Sequence, residues 1–368
     1  MENDVAFFHN VIEEWIAMPD VAVVCGNWKD GSISEIIAGP GARLLPAAYS
    51  DCFAGVRELR VADAPHHLHI DLARIHRIQY AVHPSVCLQF KPSFEVRFLL
   101  IGAGGAPTDR WCFSCMLTHP YRGDLADKDS VTEYFRIARR HLTSRRDVVE
   151  IDIARSVTQA PGFHRILDCL NSAFEVQVDA TAVSSFLDSL SSPVDTRSVQ
   201  TDPPCLQLLS ESLKLTEASL VLFRDRLLVE FQTESLGPVL RYEEAGHVSW
   251  QIGETSDHHC HLALGAVTKV LFSAEEVPCQ GGGLNYTIWF LTPGHSGNPY
   301  RRDGYFSVVL NSPYEGIAPR KAVIEPVLDL YRAYRDREWV SADEKFLDVV
   351  KNGPPVRRQL EELHASAE

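Results

Sequence analysis

The chain has no apolar run approaching the roughly 18 residues needed to cross a bilayer. Met1 to Asp20 lacks the basic start and unbroken apolar core of a secretion signal, and carries Glu13 and Glu14 instead. Positive charge is short: 35 Lys and Arg stand against 49 Asp and Glu, for a net charge of -14. Nucleic acid and anionic membranes reward clustered Lys and Arg, so neither is expected as the main partner. A small anionic ligand, which needs only one or two local cations, stays open. The nine cysteines, an odd number, follow no secreted-framework spacing and read as reduced thiols. A cytoplasmic location is therefore expected. No Gly-x-Ser-x-Gly elbow supports a hydrolase triad. Gly102-Ala103-Gly104-Gly105 and Gly281-Gly282-Gly283 lack the following helix and Lys of a phosphate loop, and read as strand connections.

What the chain does have is a doubled segment. His66-His67-Leu68-His69-Ile70 recurs as His258-His259-Cys260-His261-Leu262, at a constant offset of 192 positions. Leu72 answers Leu264, Tyr80 answers Phe272, Phe94 answers Tyr286 and Phe98 answers Phe290. After one extra residue the offset becomes 193, pairing Phe113-Ser114 with Phe306-Ser307 and Pro120-Tyr121 with Pro313-Tyr314. So long a run with one gap predicts a tandem duplication, with any site at equivalent places in both halves or between them. A chain of 368 residues also exceeds the usual size of a single core.

Periodicity gives each half a helical start, an antiparallel meander and a closing helix, an α+β layout. Helices are predicted over Ala6–Met18, Val131–Leu142 and Val323–Arg335, and from Phe163 onward. Strands are predicted over Val21–Cys25, Ile33–Ile37, Val56–Val61, His66–Leu72, Ile75–Val82, Phe94–Ile101 and Trp111–Leu117. Leu220–Phe231, Val248–Ile252, His258–Leu264, Thr268–Ser273, Asn285–Leu291 and Tyr305–Leu310 repeat that series. The expected division is 1–155 and 156–368, the second copy carrying a Ser/Asp/Pro-rich insertion near 189–204 and a charged, helix-prone tail.

Side chains alternate faces along a strand. Leu68, Ile70 and Leu72 should then face the core while His67 and His69 look outward; Leu262 and Leu264 against His259 and His261 repeat the arrangement. Outward imidazoles are either plain surface hydrogen-bonders or ligands for a metal or haem iron. A bicupin-like non-haem metal site would also start from His-x-His, but no Glu follows either motif, and two imidazoles alone are a poor first shell. His9 and His164 open matching helices beside Phe8 and Phe163, a setting for a proximal haem ligand or for half-buried helix residues. Arg97 lies opposite Phe94, Val96 and Phe98, where it can meet a ligand's acidic group or pair with Glu95. Its counterpart is Trp289, an asymmetry expected if the two copies bind different things or if only one of them binds. Cys112 and Cys115 have redox spacing, but on a strand they face opposite sides.

His66-His67-Leu68-His69-Ile70-Asp71-Leu72-Ala73-Arg74-Ile75, Tyr80-Ala81-Val82 and Phe94-Glu95-Val96-Arg97-Phe98-Leu99 resemble the HemS/ChuX-type haem-utilisation superfamily, and the tandem layout resembles its double-domain HemS branch. Phe163-His164-Arg165-Ile166-Leu167 is similar to the helix bearing that branch's axial histidine. The family's Asp-Leu-Arg step is altered here to Asp71-Leu72-Ala73-Arg74, and its Phe-Asp-x-x-Gly turn is missing. The resemblance implies two α+β halves, each with a large antiparallel sheet, packed face to face with haem in a cleft. His164 would be the first axial candidate, with His67, His69, His259 and His261 next and Arg97 at the haem edge. It implies haem carriage, transfer or breakdown; a haem-dependent biosynthetic oxidoreductase on a small molecule and a ligand-free interaction scaffold are the alternatives.

Overall fold

The computed structural model describes residues 2–27, 32–38, 42–46, 56–60, 67–85, 88, 91–101, 107–160, 162–175, 202–224, 227–244, 247–253, 258–276, 283–293 and 306–356. The first part of the chain runs α1 (Glu2–Ile16), β1 (Val21–Asn27), β2 (Ser32–Ala38), β3 (Arg43–Pro46), β4 (Val56–Arg60), β5 (His67–Asp71), β6 (Ile75–Pro84), β7 (Pro92–Ile101) and β8 (Pro107–Leu117). The short hairpin β9 (Tyr121–Arg122) and β10 (Leu125–Ala126) follows, then α2 (Lys128–Ser144) and β11 (Val149–Ile153). The remainder runs α3 (Phe163–Phe174), α4 (Leu206–Ser212), β12 (Ala218–Arg224), β13 (Leu227–Gln232), β14 (Val239–Glu244), β15 (His247–Ile252), β16 (His259–Leu262), β17 (Lys269–Glu276), β18 (Leu284–Leu291) and β19 (Phe306–Leu310). It closes with β20 (Tyr314–Glu315), β21 (Ala318–Pro319), α5 (Lys321–Tyr334), β22 (Val340–Ala342) and α6 (Glu344–Asn352).

The strands form two nine-stranded sheets. The first is ordered β11-β6-β7-β8-β1-β2-β16-β15-β14 and the second β22-β17-β18-β19-β12-β13-β5-β4-β3. Position by position the orders are equivalent, β1 standing where β12 stands and β5 where β16 stands. Pairing is antiparallel except at one end, where β11 and β22 run parallel to β6 and β17. The α+β class is as the periodicity predicts, but the sheets are not confined to halves of the chain. Strands β3–β5 leave the first part and join the second sheet through β5 and β13, His69 opposite Leu228 and His67 opposite Glu230. Strands β14–β16 make the reciprocal crossing through β16 and β2. The expected division at 155/156 falls between β11 and α3, and each sheet draws three strands from across it.

Each sheet has an apolar face covered by helices. Phe8, Val11, Ile12, Trp15 and Ile16 make one buried stripe of α1, the i, i+3, i+4 spacing that seats a helix on a core. Trp15 and Tyr80 then meet Tyr134 of α2 edge-on. On the second sheet Phe272 meets Tyr331 of α5 and Phe346 of α6. One stacked pair occurs at the same place in both sheets: Phe98 on Phe113 with centroids 4.4 Å apart, and Phe290 on Phe306 at 4.5 Å. The side chains of Asp127 and Asp343 cap α2 and α6 by accepting from backbone N–H groups. Gly123 and Gly316 hold positive φ in the two short hairpins, where a side chain would be strained.

The single strand expected over Leu220–Phe231 is a hairpin, β12–β13. The charged tail supplies α6; residues 357–368, like 189–201, His66 and both glycine clusters except Gly283, lie outside the described residues. Among the described residues no helix is long and apolar enough to cross a membrane.

Candidate functional site on the polar sheet faces

The faces turned away from the helices carry the polar side chains. On the first sheet they form a connected row. His83 Nε2 meets Asp152 Oδ2 at 2.8 Å. Ser93 Oγ donates to Glu95 Oε1 at 2.5 Å, and Arg97 Nε donates to Glu95 Oε2 at 3.1 Å. Ser114 Oγ reaches the same carboxylate at 3.4 Å. Glu95 and Arg97 are 7% and 9% exposed, so the pair is buried. Burial pushes the Glu95 carboxyl up, but the Arg97 guanidinium and the Ser93 hydroxyl outweigh it and hold it below the usual range.

At the far end of that face lie His259 and His261, 1% and 3% exposed, with ring centroids 5.1 Å apart. Burial and the His259 imidazole beside it push His261 down to about 3, so its ring is neutral. His258 accepts from the Ile37 backbone N–H through Nδ1 at 3.1 Å, clasping β2. The tight approach depends on Gly253, at φ +94, where an added Cβ would lie 2.5 Å from the His258 carbonyl oxygen. Gly253→Ala is expected to cost about 1–3 kcal/mol, measured by urea unfolding.

The equivalent pair on the second sheet is more open. His67 and His69, both half-buried, have centroids 5.0 Å apart. His67 Nε2 lies 3.1 Å from Glu230 Oε2, a carboxylate lent by β13 across the halves of the chain. Ser219 donates to Glu230 Oε1 at 2.7 Å. Burial raises the Glu230 carboxyl, and the His67 and Ser219 contacts more than offset it. The register puts Glu35 opposite His259 just as Glu230 is opposite His67. The His-x-His motif points to a carboxylate further along the same strand, whereas Glu230 stands on the neighbouring one. Aligning Ile33–Ile37 with Leu228–Gln232 would have shown Glu35 and Glu230 in equivalent places.

His164 is exposed on α3, whose buried stripe of Phe163, Ile166, Leu167 and Cys169 lies against α2. It is thus on the helical side of the first sheet, while Arg97 is on the polar side. The two do not converge on one planar ligand, and Arg97 pairs with Glu95, the second of the two roles open to it. His9 is half-buried, 3.7 Å from Glu13. Cys115 faces the aromatic core, and burial raises its thiol far above the usual value, which removes it as a redox partner. Among the described residues no group of three or more His, Cys, Asp or Glu converges to hold a metal ion. An open groove of about 630 Å³ between α2 and α3 is lined by Arg136, Arg139 and Arg140 rather than by apolar side chains. Arg139 is held there by Glu175 and by the Ala173 carbonyl. Haem therefore finds no fit with His164 and Arg97 together, nor in this groove. His259 and His261 are covered; His67 and His69 are the pair with imidazole surface still open.

No protein-family model matches this sequence, and no curated protein matches it.

Proposed function

We propose that the chain binds haem on the polar face of the second sheet, through His67 and His69, in the manner of a haem-utilisation protein. The observation that carries this reading is the half-buried imidazole pair with a carboxylate behind it. A carboxylate on one ring nitrogen fixes ring orientation and raises basicity, which is how ligating histidines are commonly supported. Bound haem would supply an iron able to accept a neutral imidazole. Within this reading Glu230 positions His67, and His69 presents the second ring. We further infer that the two halves descend from one duplicated unit. The equivalent strand orders, the matching Phe pairs and the matching His-x-His geometry support that history.

Titrating the purified protein with hemin tests the assignment. A saturable Soret shift is expected for the wild type and for His164→Ala, and its loss for the His67→Ala/His69→Ala pair. A shift lost in His164→Ala and kept in the strand double variant would return the ligand to α3. No shift in any protein would end the haem reading.

A further inference from the structure

The polar row of the first sheet is internally satisfied; its counterpart on the second sheet is not. Where the first sheet has His83 and Ser93, each with a carboxylate partner, the second has Glu275 and Asn285, directly opposite each other on β17 and β18. Glu275 Oε2 and Asn285 Oδ1 are out of reach of solvent and accept no hydrogen bond. Ser307 Oγ, on a 0% exposed residue of the same face, also has no partner, but it lies level with Leu271 and Trp289, four residues along the strands from Glu275. Opposite Ser307, Trp289 Nε1 donates to Ser273 Oγ at 2.9 Å, so the donor at Arg97's equivalent position is already used. A buried acceptor without a donor costs free energy, and native proteins rarely leave two on directly opposed residues. Glu275 also lies just past the end of the edge strand β22, where Asp343 turns the chain into α6. The pairing of β22 with β17 stops at Phe272, so among the described residues no further strand pairs with β17 beside Glu275.

We propose that Glu275 and Asn285 form a binding site for the ammonium group of a primary amine. The missing component is a donor, since the unsatisfied atoms are a carboxylate and an amide oxygen. The surroundings favour a cation. Burial and the Asp343 carboxylate push Glu275 up to about 7, with Lys345 opposing. Lys345 itself lies 3.6 Å from Glu276, a second carboxylate. An ammonium has three N–H donors, enough for both acceptors at once. The site is separate from His67 and His69, which lie across the sheet on β5, so it stands whether or not haem binds there. The first sheet, with its closed row, has no such site.

Two measurements on the full-length protein test this. In the first, melting temperature is followed at pH 8 against putrescine, with tetramethylammonium as a probe of equal charge type but no N–H. Putrescine should give a saturable rise and tetramethylammonium none. Glu275→Gln and Asn285→Leu should each weaken putrescine binding by about tenfold or more, the scale of one hydrogen bond to a charged group. In the second, stability is followed against pH without amine. Glu275 binds its proton more tightly folded than unfolded, so stability should fall as pH rises from the ordinary carboxylate range through about 7. Glu275→Gln should flatten that fall and melt above the wild type at pH 8. A wild type with no putrescine response, or an equal response to tetramethylammonium, overturns the site. So does a Glu275→Gln protein no more stable than the wild type at pH 8. That last result would mean that a water, or a turned Asn285 amide, already supplies the donor.

Discussion

Arg97→Ala is expected to destabilise the protein by about 3–5 kcal/mol, because it strands the buried Glu95 carboxylate without its counter-charge. The whole pair is worth far less than that figure. Replacing a buried ion pair with well-packed apolar groups is often neutral, since two desolvation costs disappear with the attraction. The second sheet shows such a replacement in place: Thr287, Trp289 and Ser273 occupy the positions of Glu95, Arg97 and Ala81. The triple variant Ala81→Ser/Glu95→Thr/Arg97→Trp should therefore be markedly more stable than Arg97→Ala alone. The pair also carries a pH signature. Glu95 is held below the usual carboxylate value in the fold. Its contribution is present above the unfolded value and is lost as pH falls through the folded one. Urea unfolding at pH 7 and in acid reads both effects. A cost for Arg97→Ala below about 1 kcal/mol would show that the carboxylate is not relying on the guanidinium.

Local chemistry was readable from the sequence, while the pairing of distant strands was not. Alternation along Leu68 and Ile70 gave the correct inner face of β5, and both are fully buried. The pairing of Arg97 with Glu95 was visible as two residues on one face of a strand, where opposite charges two apart are neighbours. Alternation does not say which sheet a strand enters. The same Leu68–Ile70 row would serve beside β2 or beside β13, and the partner strand lies in the other half of the chain. Burial of the histidines was hidden for a related reason. His67-x-His69 and His259-x-His261 have the same spacing and nearly the same ring geometry, yet one pair is half open and the other closed. That difference comes from what covers each face, not from the motif. Glu230 was missed because a strand's carboxylate partner is set by register, which the motif does not encode.

The reciprocal crossing predicts that the chain cannot be divided at 155/156. A fragment 1–155 would keep β1, β2, β6–β8 and β11, but would lose β14–β16 from beside β2. The backbone groups of β2 that pair with β16 would become an open edge, a template for aggregation. Its own β3–β5 would have no β13 to join, leaving Leu59, Leu68 and Ile70 without the core that buries them. Full burial of such side chains stabilises by about 1.5–3 kcal/mol each. Three of them, with two unpaired strand edges, rival the few kcal/mol that usually separates a folded domain from its unfolded state. Fragment 156–368 suffers the mirror loss at β13, with Cys260 and Leu262 stranded. Neither fragment should give a monomer with cooperative thermal unfolding, whereas co-expression should give a 1:1 complex with the circular dichroism spectrum of the intact chain. A cooperatively melting monomer from either fragment would show that the exchanged strands dispense with each other, and that each half can close its own sheet.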